Sequence, residues 1–201
     1  MMRIITGRAR GTHLLTLPDD RVTRPTTERA KEAVFSMIQF RLAGRRVLDL
    51  FAGSGQMGLE AVSRGAGEAL FADASGEAIG IVRQNIERTH LASCCTAVCA
   101  DYTAVVGRPC PGTEAQFGLV ILDPPYAAHL VCPALRLLAE NGWLTGDALL
   151  ICESAEENIF ENDPSLERKF TVLRHGKYAA VHMTLLEYAG GADARESEGT
   201  L

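Results

Sequence analysis

The stretch "RVLDLFAGSGQMGLEAVSRG", Arg46 to Gly65, sets the architecture of the whole chain. An apolar run (Val47, Leu48, Leu50) carries an acid, Asp49, and breaks into Gly53, Gly55 and Gly58 before a helical pattern closed by Gly65. Strand, glycine loop and helix in that order make the first half of a βαβ unit. At such a loop the missing side chains let backbone approach a ligand, and the helix N-terminal amides face it.

Working outward, the alternation continues. "EALFADA" (68–74) reads as a strand, "GEAIGIVRQNIERTHL" (76–91) as a helix and "CTAVCAD" (95–101) as a strand. A polar stretch containing Pro and Gly follows, then the strand "FGLVILD" (117–123), the helix "CPALRLLAENG" (132–142) and the strand "DALLICES" (147–154). Continuous apolar strands separated by helices predict a parallel sheet covered on both faces, an α/β Rossmann-like domain. After it, "KFTVLRHGKYAAVHMTLLEY" (169–188) predicts two strands reversing at the turn-like "HGK" (175–177), a terminal antiparallel hairpin.

Before the glycine loop, "RPTTERAKEAVFSMIQFRL" (24–42) opens on a turn at Arg24-Pro25, with Thr26 or Thr27 as N-cap and an apolar stripe of Ala30, Val34, Phe35 and Ile38. The N-terminus pairs "RIITG" with "THLLTL" across "RARG", which predicts a β-hairpin. Three regions result: a basic hairpin over 1–20, one catalytic domain over 21–189, and a small, polar, disordered tail over 190–201.

The composition, 47% apolar and 22% charged over 201 residues, suits one globular domain. No apolar run reaches the roughly 18 residues of a bilayer span, and the N-terminus lacks a secretory pattern, so a cytoplasmic protein is expected. Six cysteines (Cys94, Cys95, Cys99, Cys110, Cys132, Cys152) show neither C-x-x-C nor zinc spacing, which predicts unpaired thiols and no metal. The net charge of −5 hides an asymmetry. Residues 1–46 hold ten Lys/Arg against four acids, so the remainder is strongly acidic. A basic N-terminal face points to a polyanionic partner.

Acids recur where each of the first four strands ends: Asp49, Asp73, Asp101 and Asp123. Asp73, twenty residues after Gly53, suits the two hydroxyls of a ribose, and Asp101 an adenine amino group. Phe51, Ala52, Ser54, Ala74 and Tyr102 complete the cofactor-binding set in the same loops. Asp49, four residues before Gly53, separates this loop from those of dinucleotide enzymes, whose strand runs apolar into its first glycine. "VLDLFAGSG" resembles motif I of class I S-adenosylmethionine-dependent methyltransferases, and no length remains for the substrate domain that a NAD-dependent oxidoreductase, the alternative, would need.

The fourth strand ends in "DPPY", Asp123 to Tyr126. An exocyclic base amine is a poor nucleophile because its lone pair is delocalised into the ring. The Asp123 carboxylate and the Pro124 carbonyl can each accept one N–H and aim that lone pair. Pro124 and Pro125 fix φ and remove competing donors, and Tyr126 offers a stacking face worth about 1–3 kcal/mol.

Together, "MRIITGRARG", "RPTTERAKEAVF", "VLDLFAGSGQMGLEAVSRGA", "FADAS" and "LDPPY" resemble the RsmD family, bacterial methyltransferases of guanine N2 in 16S ribosomal RNA. The resemblance implies a seven-stranded sheet with its last strand antiparallel, S-adenosylmethionine as cofactor, and Arg24 and Thr26 near its methionine end. It implies RNA contact by the N-terminal hairpin with Arg8 and Arg10; Arg3, Arg24, Arg29, Lys31, Tyr126, His129 and Lys177 are the further candidate RNA contacts. The substrate implied is 16S rRNA in the 30S subunit or an assembly intermediate, because so small a basic hairpin cannot select one guanine in free RNA. A monomer is expected, and the chain departs from the family pattern at Asp73 (usually Glu), His13 and Ala179. The alternatives are the same chemistry on adenine N6 or cytosine N4, and a non-catalytic RNA-binding protein, which has no use for Asp123.

Overall fold

Strand β4 (Phe117–Leu122) is buried at all six positions, as a central strand covered on both faces must be. Around it, a computed structural model describes residues 2–17, 25–125, 129–178 and 181–190, with the backbone alone at 25–29. In chain order the elements are α1 (Pro25–Ile38), β1 (Arg46–Asp49), α2 (Gln56–Ser63), β2 (Glu68–Asp73), α3 (Gly76–Arg88), β3 (Cys95–Cys99), α4 (Tyr102–Val106) and β4. Then come α5 (Val131–Glu140), β5 (Leu144–Ser154), β6 (Phe170–Tyr178) and β7 (Val181–Tyr188).

The seven strands lie in the order β3-β2-β1-β4-β5-β7-β6. The first five are mutually parallel, and β7 runs antiparallel to both β5 and β6. The expected sheet and its reversed last strand are both present. The chain winds outward from β1 to β3, then returns to place β4 on the other side of β1. That reversal of direction opens a crevice beyond the carboxyl ends of β1 and β4.

Alternation along the strands divides the core. Val47, Leu119, Ile121, Leu149 and Ile151 pack on one face with α1, α2, α3 and the N-terminal segment. Leu48, Val120, Leu122, Leu150 and Cys152 pack on the other with α4 and α5. Ala30, Val34, Phe35 and Ile38 of α1 are all buried, which matches the helical stripe.

Four local expectations are corrected. Helix α1 starts at Pro25, so Thr26 and Thr27 lie inside its first turn rather than capping it; Pro at the first position has its missing N–H where no helical bond is made. "HGK" is not the terminal turn. His175, Gly176 and Lys177 pair with Thr184, Met183 and His182, so the chain reverses after Tyr178. Gly176 is explained by contact, since a Cβ there would lie 3.0 Å from the Tyr178 ring. Within the stretch read as irregular, Asp101 caps a five-residue helix, α4.

The fourth concerns the N-terminus, which folds back on itself with one antiparallel bridge, Arg3 to His13, rather than two strands. Backbone bonds link Ile4 to Thr12 and Gly11, and Leu14 to Met2. Four further amides turn toward α2 instead of a ladder. Ile5 and Thr6 donate to the Glu60 carboxylate at 2.7 and 3.1 Å, and Arg8 and Ala9 donate to the Ser63 carbonyl and hydroxyl. Met2, Ile4, Ala9 and Leu14 are buried in the main core cluster, so the segment is part of the domain's packing.

Candidate active site

A cleft of about 650 Å³ lies at the carboxyl ends of the parallel strands. Its walls hold most of the residues expected from sequence: Phe51, Ala52, Gly53 and Ser54 from the glycine loop, Asp73 and Ala74 beyond β2, and Asp101 and Tyr102 beyond β3. Asp49, Asp123, Pro124 and Pro125 line it as well. Gly55 and Gly58 do not. Gly55 starts α2 with φ of 75°, and Gly58 is buried behind the loop.

At the centre of the loop Asp49 is 2% exposed and accepts the Gly58 N–H at 3.0 Å. A Cβ on residue 58 would stand 2.4 Å from the Phe71 ring and 3.0 Å from the same Asp49 oxygen. The third glycine is thus needed for close packing of helix, strand and acid, not for its φ. Gly58→Ala is expected to cost about 1–3 kcal/mol by overpacking, lowering Tm by several degrees. Gly80→Ala, where an added Cβ meets nothing within 4 Å, is the control and should leave Tm unchanged or raised. Equal Tm for the two variants would contradict the packing argument.

Burial pushes the Asp49 carboxyl up to about 7, while the Gly58 N–H and the Lys31 ammonium pull the other way. A carboxyl raised in the folded state contributes stability below its unfolded value near 4, and that contribution fades as pH rises through 7. Its full span is up to about 4 kcal/mol. Denaturant unfolding of ligand-free protein should therefore show stability falling between about pH 4 and 7, with a shallower fall in Asp49→Asn. Parallel profiles would remove Asp49 as the source.

Asp73 ties the loop to the second strand: Oδ2 accepts the Gly53 N–H at 2.9 Å and Oδ1 the Ser75 N–H at 2.8 Å. Each oxygen keeps a second lone pair, so acceptance from a diol remains available. Asp101, expected from sequence to meet an adenine amino group, caps the helix that follows it. Oδ1 accepts both the Thr103 N–H (2.9 Å) and hydroxyl (2.6 Å), capping α4 and holding the carboxyl below its ordinary value. The Phe51 and Tyr102 rings face each other at 5.6 Å between centroids.

The structure separates the residues expected to touch RNA. Arg3, Arg8 and Arg10 are exposed on the N-terminal segment, outside the cleft walls, with the Arg8 guanidinium 3.0 Å from the Cys94 sulfur. Lys31 is not on that surface. It lines the cleft, donates to Gln56 Oε1 and acts on Asp49, because the α1 stripe turns residue 31 toward the glycine loop. His129 stands at the rim with φ of 47°, its Nδ1 2.5 Å from Glu156 Oε1. Lys177 is exposed within β6 rather than at a turn. Arg24, Tyr126 and Ala179 lie outside the described residues, as do the side chains of Thr26 and Arg29.

Sequence reasoning missed Met2, Gln56 and Glu153 in the cleft wall. Met2 arrives from 50 residues away, and its sulfur accepts the Ser54 hydroxyl at 3.3 Å. Glu153 had a legible signal: "ALLICES" carries an acid near its end, as the four earlier strands do. Among the described residues no group of three or more His, Cys, Asp or Glu could hold a metal ion, and no helix is long and apolar enough to cross a membrane.

With this geometry, known proteins can be compared. The family described as Conserved hypothetical protein 95 matches residues 2–187. Ribosomal RNA small subunit methyltransferase D of Escherichia coli strain K12 is 34% identical over 82% of this chain and 80% of its own length. The Haemophilus influenzae protein of the same name is 33% identical over 85% of this chain and 89% of its own. A solved structure, "Putative methyltransferase yhhF from Escherichia coli", superposes with a TM-score of 0.79 at 28% identity, covering 93% of this chain and 97% of that one. The family match spans residues 2–187 and both named relatives align over most of this chain, so the chain belongs to the ribosomal RNA small subunit methyltransferase D (RsmD) family.

Proposed function

We propose that the protein transfers a methyl group from S-adenosylmethionine to the N2 amine of a guanine in 16S rRNA, acting on the 30S subunit or an assembly intermediate. The observation that supports this most directly is the sharing of one cleft by the glycine loop and the Asp123-Pro124-Pro125 tip. The relatives of known name are ribosomal RNA small subunit methyltransferases.

The residues present fit the cofactor. The cleft follows the strand ends from β3 to β4, so an adenine would lie toward Asp101 and Tyr102, and a ribose toward Asp73. Because Asp101 Oδ1 serves the helix cap, Oδ2 is assigned to the adenine amino group. Asp49, Lys31, Gln56 and Met2 would surround the methionine end, where Lys31 supplies a cation for its carboxylate. When bound, the cofactor supplies an activated sulfonium methyl group.

The chain's own contribution is positioning. Asp123 accepts one N–H of the target amine and the Pro124 carbonyl the other, which localises the nitrogen lone pair toward the donor. Asp123 then stabilises the positive charge that develops on nitrogen as the N–C bond forms. The released proton leaves to Asp123 or to solvent once the bond is made. Holding both reactants in line removes much of the entropic barrier. We assign Tyr126 the stacking face for the exposed base. Exposed Arg3, Arg8 and Arg10 are assigned to RNA phosphates.

The test is transfer of labelled methyl to 30S subunits, naked 16S rRNA and DNA from a strain lacking the enzyme, followed by mapping of the modified base. The expected product is N2-methylguanine, formed best on 30S particles. Label on adenine N6, cytosine N4 or DNA would overturn the substrate assignment.

A further inference from the structure

We infer that Glu153 selects guanine, by accepting the N1–H that lies beside the N2 amine. The inference rests on the function proposed above and concerns which base that site admits. Its basis is the placement of Glu153, which was not part of the glycine-loop and DPPY pattern.

In the parallel pairing of β4 with β5, Leu122 stands opposite Cys152, so Asp123 and Glu153 occupy the next position on adjacent strands. Strand spacing puts their backbones roughly 5 Å apart. Leu119 and Ile121 share one face of the sheet with Leu149 and Ile151, and alternation carries Asp123 and Glu153 to that same face. Glu153 is 8% exposed, yet it lines both the main cleft and a small recess beneath Pro124, Pro125 and His129. It lies beyond β4, on the side away from the glycine loop, where the acceptor base and not the cofactor belongs. A carboxylate has about four acceptor positions, so beside its interactions within the protein Glu153 can still accept from a bound base.

Guanine offers two adjacent kinds of donor on one edge, N2–H and N1–H. Asp123 and the Pro124 carbonyl use the amine, and Glu153 accepts from N1 with a charge-assisted bond. Adenine and cytosine also carry an exocyclic amine, but the ring nitrogen beside it is an acceptor. Its lone pair would face the Glu153 carboxylate without a proton between them. A site built around a hydrogen bond rejects strongly the analogue that lacks it. Asp123 thus defines the reacting amine and Glu153 the base that bears it.

The test uses 30S subunits reconstituted with rRNA carrying either guanine or 2-aminopurine at the mapped target. 2-Aminopurine keeps the N2 amine and replaces N1–H by an acceptor. Wild-type enzyme is expected to modify guanine and to reject 2-aminopurine by about 100-fold or more. Glu153→Gln, whose amide can donate to that acceptor, should lose guanine transfer by about 100-fold and improve on 2-aminopurine at least about tenfold, with S-adenosylhomocysteine affinity unchanged. Glu153→Asp withdraws the carboxylate by one methylene and should weaken guanine transfer without gaining 2-aminopurine. A purely structural role would lower both substrates alike in both variants. Methyl on guanine N2 with unaltered discrimination in Glu153→Gln overturns this inference alone; methyl mapped to another base by the wild-type enzyme overturns the parent reading and this one with it.

Discussion

Asp123→Ala is expected to abolish methyl transfer, lowering the single-turnover rate by at least about 100-fold, while S-adenosylhomocysteine affinity stays within about twofold. The reason lies in what the acid touches. Asp123 directly follows the fully buried β4, which pairs with β1 up to Ile121 and with β5 up to Leu122, and Pro124 is buried immediately after it. Removing the carboxylate leaves that scaffold and the glycine loop in place. What disappears is the acceptor that localises the amine lone pair and the anion that meets the developing charge. Asp123→Asn is the sharper variant, because its carbonyl keeps one acceptor but carries no charge. A rate between wild type and alanine is expected. Calorimetry with S-adenosylhomocysteine and a quenched single-turnover assay separate binding from chemistry. Full activity in Asp123→Ala would end the mechanism proposed for this site.

The largest effect on stability is expected from Glu60. Its carboxylate accepts the Ile5 and Thr6 amides and the Arg64 Nε at 2.6 Å, with side-chain exposures of 3% for Glu60 and 6% for Arg64. Arg64 in turn lies over the Phe35 ring at 5.0 Å. Glu60→Ala strands a buried guanidinium and two backbone donors, a change that costs about 3–5 kcal/mol. A Tm drop of roughly 10 °C is expected, with early proteolysis inside residues 2–17. Cofactor affinity should weaken too, because Met2 and its contact with Ser54 go with the segment. Reading residues 1–20 as a basic RNA-contacting hairpin suggests that deleting them would spare cofactor binding. The packing of Met2, Ile4, Ala9 and Leu14 against α2 reverses that expectation. A Glu60→Ala protein melting within about 2 °C of wild type would show that the segment is held by its apolar contacts instead.

Much of this site was legible in one dimension. Asp49, Gly53, Asp73, Asp101 and Asp123 are all marked by the same local event, an apolar run broken by an acid or a glycine, and all five line the cleft. Lys31 was misplaced because a lysine near other basic residues reads as a surface charge. Its neighbour across space, Asp49, is 18 positions away and is brought to it by α1 folding over the glycine loop. "HGK" was misread because a glycine between polar residues has the same composition in a turn as in a strand covered by an aromatic ring.

The amino-acid order by itself determined the strands and helices of the parallel core, that the sheet has a reversed final strand, and that a glycine loop and a DPPY tip share one chain. These follow from periodicity and from what ends each element, both of which act over a few residues. Tertiary structure alone decided that Glu60 and Ser63 anchor the N-terminal segment, that Lys31 faces the cofactor cleft, and that Glu153 stands beside Asp123. Those relations depend on strand order and on buried groups finding partners 50 or more positions away, and no local rule of spacing carries that information.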